Sequence, residues 1–195
     1  MRATIAGVST VALQTLRTGA PRRGWSRASE ATLVRAAQRG SSEAFAELFR
    51  RHWPRAHRAA WLVVHDATAA EDVAQEAFLA AVRALDRFDR RRPFAPWLHR
   101  IVVNRAIDYA RAREVRHEVA DAGVEPPVFD RPDAPGDDVV AALSALPPDQ
   151  RAVIVMRHLL GFTPGEIASA LGLPRGTVNS RLRRGLDGLQ EVVER

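Results

Sequence analysis

Residues 118–138 read EVADAGVEPPVFDRPDAPGDD and carry seven acids, one arginine and four prolines. Proline withholds a backbone donor and the acids repel one another, so this run can bury little and is expected to be a linker. On both sides of it apolar residues recur at three- and four-residue spacing, and no stretch alternates as a half-buried strand does. The chain is therefore expected to be all-α, with two small helical domains, residues 29–116 and 139–195, joined by a proline-rich acidic linker over 117–138.

In the first block, Leu33 and Ala37 begin a helix that Gly40 closes. Ser41 or Ser42 can cap a second helix holding Phe45, Leu48, Phe49 and Trp53, and Pro54 should start or kink the segment with Trp61, Val63 and Val64. Thr68 and Glu71 have capping-box spacing, which predicts a helix over about 69–86. Another helix is expected from near Pro96 to about Arg116. Residues 87–116 hold nine arginines against Asp89, Asp108 and Glu114, a local excess of +6. At 100° per residue, Arg100, Asn104, Asp108 and Arg111 share one side of that helix, near Trp97 and Ile101. Arginines flanking an asparagine beside a tryptophan suit a nucleic-acid backbone and exposed bases.

In the second block, Pro147 and Pro148 open a helix with Val153, Ile154 and Met156 that ends at Gly161. Thr163 and Glu166 repeat the capping-box spacing, with Pro164 at the favoured first position. GEIASALGLPRGTVNSRL then has a helix-turn-helix pattern. Ile167, Ala168 and Leu171 point inward, Gly172 turns the chain, and Val178, Leu182 and Leu189 anchor the second helix. Asn179, Ser180, Arg183 and Arg184 face away from that anchor, where a DNA groove would meet them. Arg175, Thr177 and Arg181 lie at its N-terminal end or flank, placed for phosphates. Residues 173–186 contain four arginines and no acid, as a DNA-facing helix requires.

Composition narrows the chemistry. All 29 basic residues are arginine, the net charge is +6, and cysteine is absent. Disulfides, thiolate metal sites, a P-loop lysine and a Schiff-base lysine are thereby excluded, and a polyanionic partner is favoured. No run approaches the roughly 18 apolar residues of a membrane span, so no membrane partner is expected. TIAGVSTVAL after Arg2 has a faint signal-peptide character, but Gly7, Ser9, Thr10 and Gln14 interrupt it and no small-residue cleavage site follows. Residues 1–28 are expected to be a flexible N-terminal extension.

AEDVAQEAFLAAVRALDRF followed by PFAPWLHRIVVNRAIDYARAR resembles conserved region 2 of sigma-70-type factors. LSALPPDQRAVIVMRHLLGFTPGEIASALGLPRGTVNSRLRRGLDGL resembles region 4. The two blocks cover about residues 30–116 and 139–190, and the absence of regions 1.1 and 3 matches the extracytoplasmic-function (ECF) group. The resemblance implies a subunit that binds core RNA polymerase and directs initiation through the −10 and −35 promoter elements. It implies that Asp72, Gln75 and Glu76, with Leu79 one turn on, dock on the clamp helices of the largest polymerase subunit, and that region 4 also meets the flap. It matches Asn104 to the family asparagine that helps hold a flipped −10 base, and it places −35 reading on the outward face already described. The family often has a basic residue where this chain has Asn179, so the −35 preference is expected to differ. An anti-sigma factor is a further partner implied by the family, and cytoplasmic residence follows from the same role.

Two other readings stay open on the residues alone. One is a polymerase-independent helix-turn-helix regulator. The other is a hydrolase or metalloenzyme built on His52, His57 and His65, but His52 and His57 are five apart, not the three or four that align ligands on a helix, and no third ligand is evident. No cofactor and no catalytic residue are expected.

Overall fold

The computed structural model describes residues 25–120 and 137–193, and these contain helices and turns without a strand. Residues 1–24 of the expected extension and 121–136 of the expected linker lie outside the described residues. Eight α-helices are present among the described residues: α1 (Glu30–Gln38), α2 (Ser42–Val64), α3 (Ala67–Ala84), α4 (Phe94–Ala120), α5 (Asp137–Ser144), α6 (Pro148–Ile154), α7 (Pro164–Leu171) and α8 (Arg175–Val193). A π-turn, Val155–Leu159, continues α6 toward Gly161, whose positive φ of 79° ends the segment.

Local chemistry explains most boundaries. The Ser29 and Ser41 hydroxyls accept from the amides of Thr32 and Ala44 at the starts of α1 and α2. Pro54 does not start a helix, because α2 runs through it. The missing N–H leaves the Arg50 carbonyl without its usual donor, a cost of about 3 kcal/mol that burial of Trp53, Ala56, Ala59 and Ala60 offsets. The cap of α3 is Asp66, whose carboxylate accepts from the Ala69 amide at 2.9 Å, so the Thr68–Glu71 spacing is not used. Asp66 is extended and follows the left-handed His65 (φ 52°), which lets the helix begin two residues earlier than the spacing predicts. Helix α4 starts at Phe94, ahead of Pro96, because the Glu30 carboxylate reaches across from α1 to accept the Phe94 amide at 3.1 Å.

Helices α1–α4 surround Phe45, Phe49, Phe78, Phe94, Leu33, Leu48 and Leu98, all fully buried. Helices α5–α8 bury Leu143, Leu146, Val153, Met156, Ile167 and Val178. These two cores are continuous. Helix α6 packs on both α2 and α4, α5 touches α2, and α7 touches α4. Arg151, 7% exposed, inserts its guanidinium into this seam and donates to the carbonyls of Val63 (2.5 Å), Leu146 (2.7 Å) and Ser144 (3.2 Å). A charge this buried is tolerable because both terminal nitrogens donate to carbonyls, although Nε is buried without a partner. Burial nonetheless pulls its pKa down to about 10.

Glu47 is the buried carboxylate of the first block. Burial alone would raise its pKa, but hydrogen bonds and charge from Arg51 and Arg50 outweigh it and hold the group below the usual carboxylate range. Arg51 also donates to the carbonyls of Trp25, Ser26 and Ala28, tying the first described residues to α2.

Candidate nucleic-acid interface

Helix α7 opens with the predicted capping box: Thr163 accepts from the Glu166 amide and the Glu166 carboxylate accepts from the Thr163 amide at 2.7 Å. Those hydrogen bonds lower the Glu166 pKa. Gly172 adopts φ 65° at the end of α7, the left-handed turn that L side chains rarely take, and the chain re-enters α8 through Pro174. Val178 is fully buried and Leu182 and Leu189 pack on the core, as the spacing predicts. Asn179, Arg183 and Arg184 are exposed on the opposite side and, with half-buried Ser180, line one shallow concavity. Arg175 is exposed at the first turn and Thr177 is half-buried. The Ser180 hydroxyl donates to the Thr177 carbonyl at 3.0 Å. Arg183 lies 3.9 Å from Asp187, a pair so exposed that water screens it and leaves the guanidinium available.

Two glycines let α8 sit this close. A Cβ on Gly185 would lie 2.5 Å from Ile154 Cδ1, and one on Gly188 would lie 2.8 Å from Leu146 Cδ2. The face that meets α5 and α6 is therefore kept bare so that the opposite face, with its arginines, stands out.

The second predicted surface is on α4. Arg100, Asp108 and Arg111 are exposed and Asn104 is half-buried, all on one side as expected. That side does not open freely to solvent. Asn104 Nδ2 donates to the Ala170 carbonyl of α7 at 3.3 Å, and Arg111 binds Asp149 of α6 through Nε (3.0 Å) and Nη2 (2.6 Å). Trp97 is half-buried, 4.7 Å from Phe88 and 5.4 Å from Phe94 between ring centroids, so it belongs to an aromatic cluster that braces the start of α4. Arg181, expected on the phosphate flank, turns instead to Asp149 at 2.9 Å.

On α3, Asp72 and Glu76 are exposed one turn apart and Leu79 is half-buried beside them. Glu76 pairs with Arg105 of α4 at 2.8 Å, yet its side chain remains 65% exposed. Gln75 departs from the expectation for a docking residue. It is 3% exposed, with its amide donating to Glu71 Oε1 at 3.1 Å, because position 75 lies on the buried side of α3. It can only support the acidic stripe from beneath.

Sequence reasoning passed over one feature here. Glu30, Val34, Phe88, Pro93 and Phe94 floor a hollow of about 360 Å³ whose rim is Arg90, Arg91 and Arg92. Phe88, the three arginines, Pro93 and Phe94 form one local run, while Glu30 and Val34 come from α1, some sixty residues earlier.

The match to the sigma-70 region 2 model spans residues 48–116, and the match to the sigma-70 region 4 model spans 137–187. Over 168 residues the chain is 38% identical to the ECF RNA polymerase sigma factor SigM of Mycobacterium tuberculosis, covering 85% of each chain. The chain belongs to the ECF branch of the sigma-70 family. The ECF RNA polymerase sigma-E factor of Escherichia coli is 32% identical over 184 residues, or 85% of this chain and 95% of that protein. Among solved structures, CnrH in complex with the cytosolic domain of CnrY superposes with a TM-score of 0.63 at 32% identity, covering 85% of this chain and 97% of that one. The sigma factor RpoE of Bartonella quintana, in complex with the anti-sigma factor NepR, gives 0.61 at 26% identity, covering 77% and 96%. In sigma-factor terms, α2–α4 carry the region 2 match and α5–α8 the region 4 match. No described helix is long and apolar enough to cross a membrane.

Proposed function

We propose that this ECF sigma factor binds core RNA polymerase in the cytoplasm and directs promoter-specific initiation, with α4 reading the −10 element and α8 the −35 element. It has no bond-making chemistry of its own in this reading, since phosphodiester synthesis falls to the polymerase. The observation that carries it is the pairing of two sigma-70 blocks in order with an arginine-rich outer face on α8. Asp72 and Glu76, with Leu79, form an acidic and partly apolar stripe suited to the polymerase clamp helices, and region 4 is assigned to the flap. The solved relatives caught with CnrY and NepR make an anti-sigma partner a reasonable assignment here too. Run-off transcription on fragmented genomic DNA tests the reading directly: purified core polymerase plus this chain should start at a discrete set of sites sharing a −10 and a −35 motif. Initiation no different from core alone would overturn it.

Base readers and phosphate holders should separate on α8. Arg183→Ala or Arg184→Ala should cost about 1–3 kcal/mol of −35 affinity and relax preference at one position. Arg175→Ala should weaken every sequence alike and reduce the salt slope by about one unit. Titrations of single-base −35 variants at several salt concentrations distinguish the two, and unchanged base preference in both Arg183 and Arg184 variants would dislodge α8 from the groove. On α4, Asn104→Ala should change preference at one −10 position while leaving −35 preference intact. Equal loss at every −10 base would make Asn104 a structural residue.

A further inference from the structure

Asp149 stands at the first turn of α6 and holds two arginines at once. Its Oδ1 takes Nε and Nη2 of Arg111 from α4, and its Oδ2 takes Nη2 of Arg181 from α8 at 2.9 Å. Two guanidinium groups on the two oxygens of one anion is the arrangement a DNA phosphate would offer. One of those arginines lies on the −10 side of region 2 and the other on the recognition helix of region 4. Beside them Asn104 is engaged by the Ala170 carbonyl, and Arg151 and Arg55 fasten the seam through the carbonyls of Val63 and Leu159. Three of the groups assigned to DNA, Asn104, Arg111 and Arg181, are thus held by protein, while Arg175, Asn179, Arg183 and Arg184 stay exposed.

Size sets the consequence. Centres of −10 and −35 elements lie 25 base pairs apart, about 85 Å at ~3.4 Å per pair. A compact body the size of residues 25–120 and 137–193 has a radius of gyration of about 15 Å and a breadth of about 40 Å. With α6 and α7 seated on α2 and α4, regions 2 and 4 cannot occupy both elements together.

We propose that Asp149 is a phosphate-mimicking latch, which keeps the free sigma factor closed by occupying Arg111 and Arg181 until the polymerase draws region 4 away from region 2. This rests on the promoter-binding reading above. The chain lacks cysteine, so spin labels can be placed uniquely at the exposed positions Arg83→Cys and Glu191→Cys and the distance distribution measured in the full chain. The free chain should give one narrow short-distance population. Asp149→Asn, which keeps the side chain's shape and removes its charge, should broaden it toward longer distances and should tighten binding to a fluorescent mixed-sequence single-stranded DNA about tenfold. The same variant should steepen the salt dependence by one to two released phosphate contacts, while run-off transcription with saturating core polymerase stays at the unlatched level or above.

Arg111→Gln breaks the latch from α4 without disturbing the first turn of α6, and the same shift in distance is expected from it. An unchanged distance distribution in both variants, with the DNA affinity of Asp149→Asn equal to the parent's, would overturn the latch. A parent chain whose two labels are already broadly separated would overturn it as well. Failure of the chain to bind core polymerase would instead remove the reading on which the latch rests, while the distances in the free chain would still report whether Asp149 closes it.

Discussion

Lowering the pH from 6.5 to 4 is expected to strip stability from this protein through His65 and His99, each of which has its pKa lowered from 6.5 to about 4. Burial is the main cause at both. The Arg151 charge adds to it at His65, opposed by a hydrogen bond that the ring donates to the Leu62 backbone; His52 and Arg55 add to it at His99. Each ring has a buried Nε2 without a hydrogen-bond partner. A histidine with a depressed folded-state pKa prefers to be neutral when folded. Its contribution is therefore complete above the unfolded value of 6.5 and is lost as the pH falls toward 4. The slope is about 1.4 kcal/mol per pH unit for each ring, or about 3 kcal/mol each across the window. That is a large part of the ~5–15 kcal/mol typical of a domain. Glu47 acts in the same direction at lower pH, because its lowered pKa means that protonation removes stability. Urea midpoints at pH 7, 5.5 and 4.5 measure the effect. His65→Asn suits the left-handed backbone at that position and should flatten the dependence by roughly half. Midpoints that do not move with pH would show that neither ring is held neutral.

Reversing the acidic stripe should eliminate polymerase binding. Asp72→Arg with Glu76→Arg changes two exposed charges by +4 in total on one turn of α3 and is expected to reduce co-purification with core polymerase to background. The fold should survive, since both positions are exposed and the one ion pair lost, Glu76 to Arg105, is a surface pair worth about 0–1 kcal/mol. Free-chain binding to DNA should be retained or strengthened by the added positive charge. Gln75→Leu serves as the contrast: its side chain is buried, so it should shift the melting temperature without selectively removing the polymerase. Undiminished co-purification of the double variant would place the docking surface elsewhere.

Helix existence, the helix-turn-helix and the outward arginines were legible because they depend on groups a few residues apart. Thr163 needs only Glu166 for its capping box, Gly172 needs only its own missing Cβ, and the spacing of Val178, Leu182 and Leu189 defines which side of α8 is bare of charge. The α3 cap was misplaced for the same local reason. Thr68 and Glu71 fit the pattern, but Asp66, set up by a left-handed His65, reached the free amide first. Gln75 differs because a docking motif names positions, while burial depends on which side of α3 the neighbouring helices cover.

Helical character, the two blocks and the arginine-bearing faces of α4 and α8 could all be read from residue order alone. It took the packed helices to show that the blocks close on each other with Arg151 in the seam, that the arginines at 90–92 rim a hollow shared with α1, and that Arg111 and Arg181 meet at Asp149. The physical reason is range. Periodicity and capping are written within one or two helical turns, whereas Arg111 and Asp149 are 38 residues apart and come together only when two helical surfaces have chosen each other.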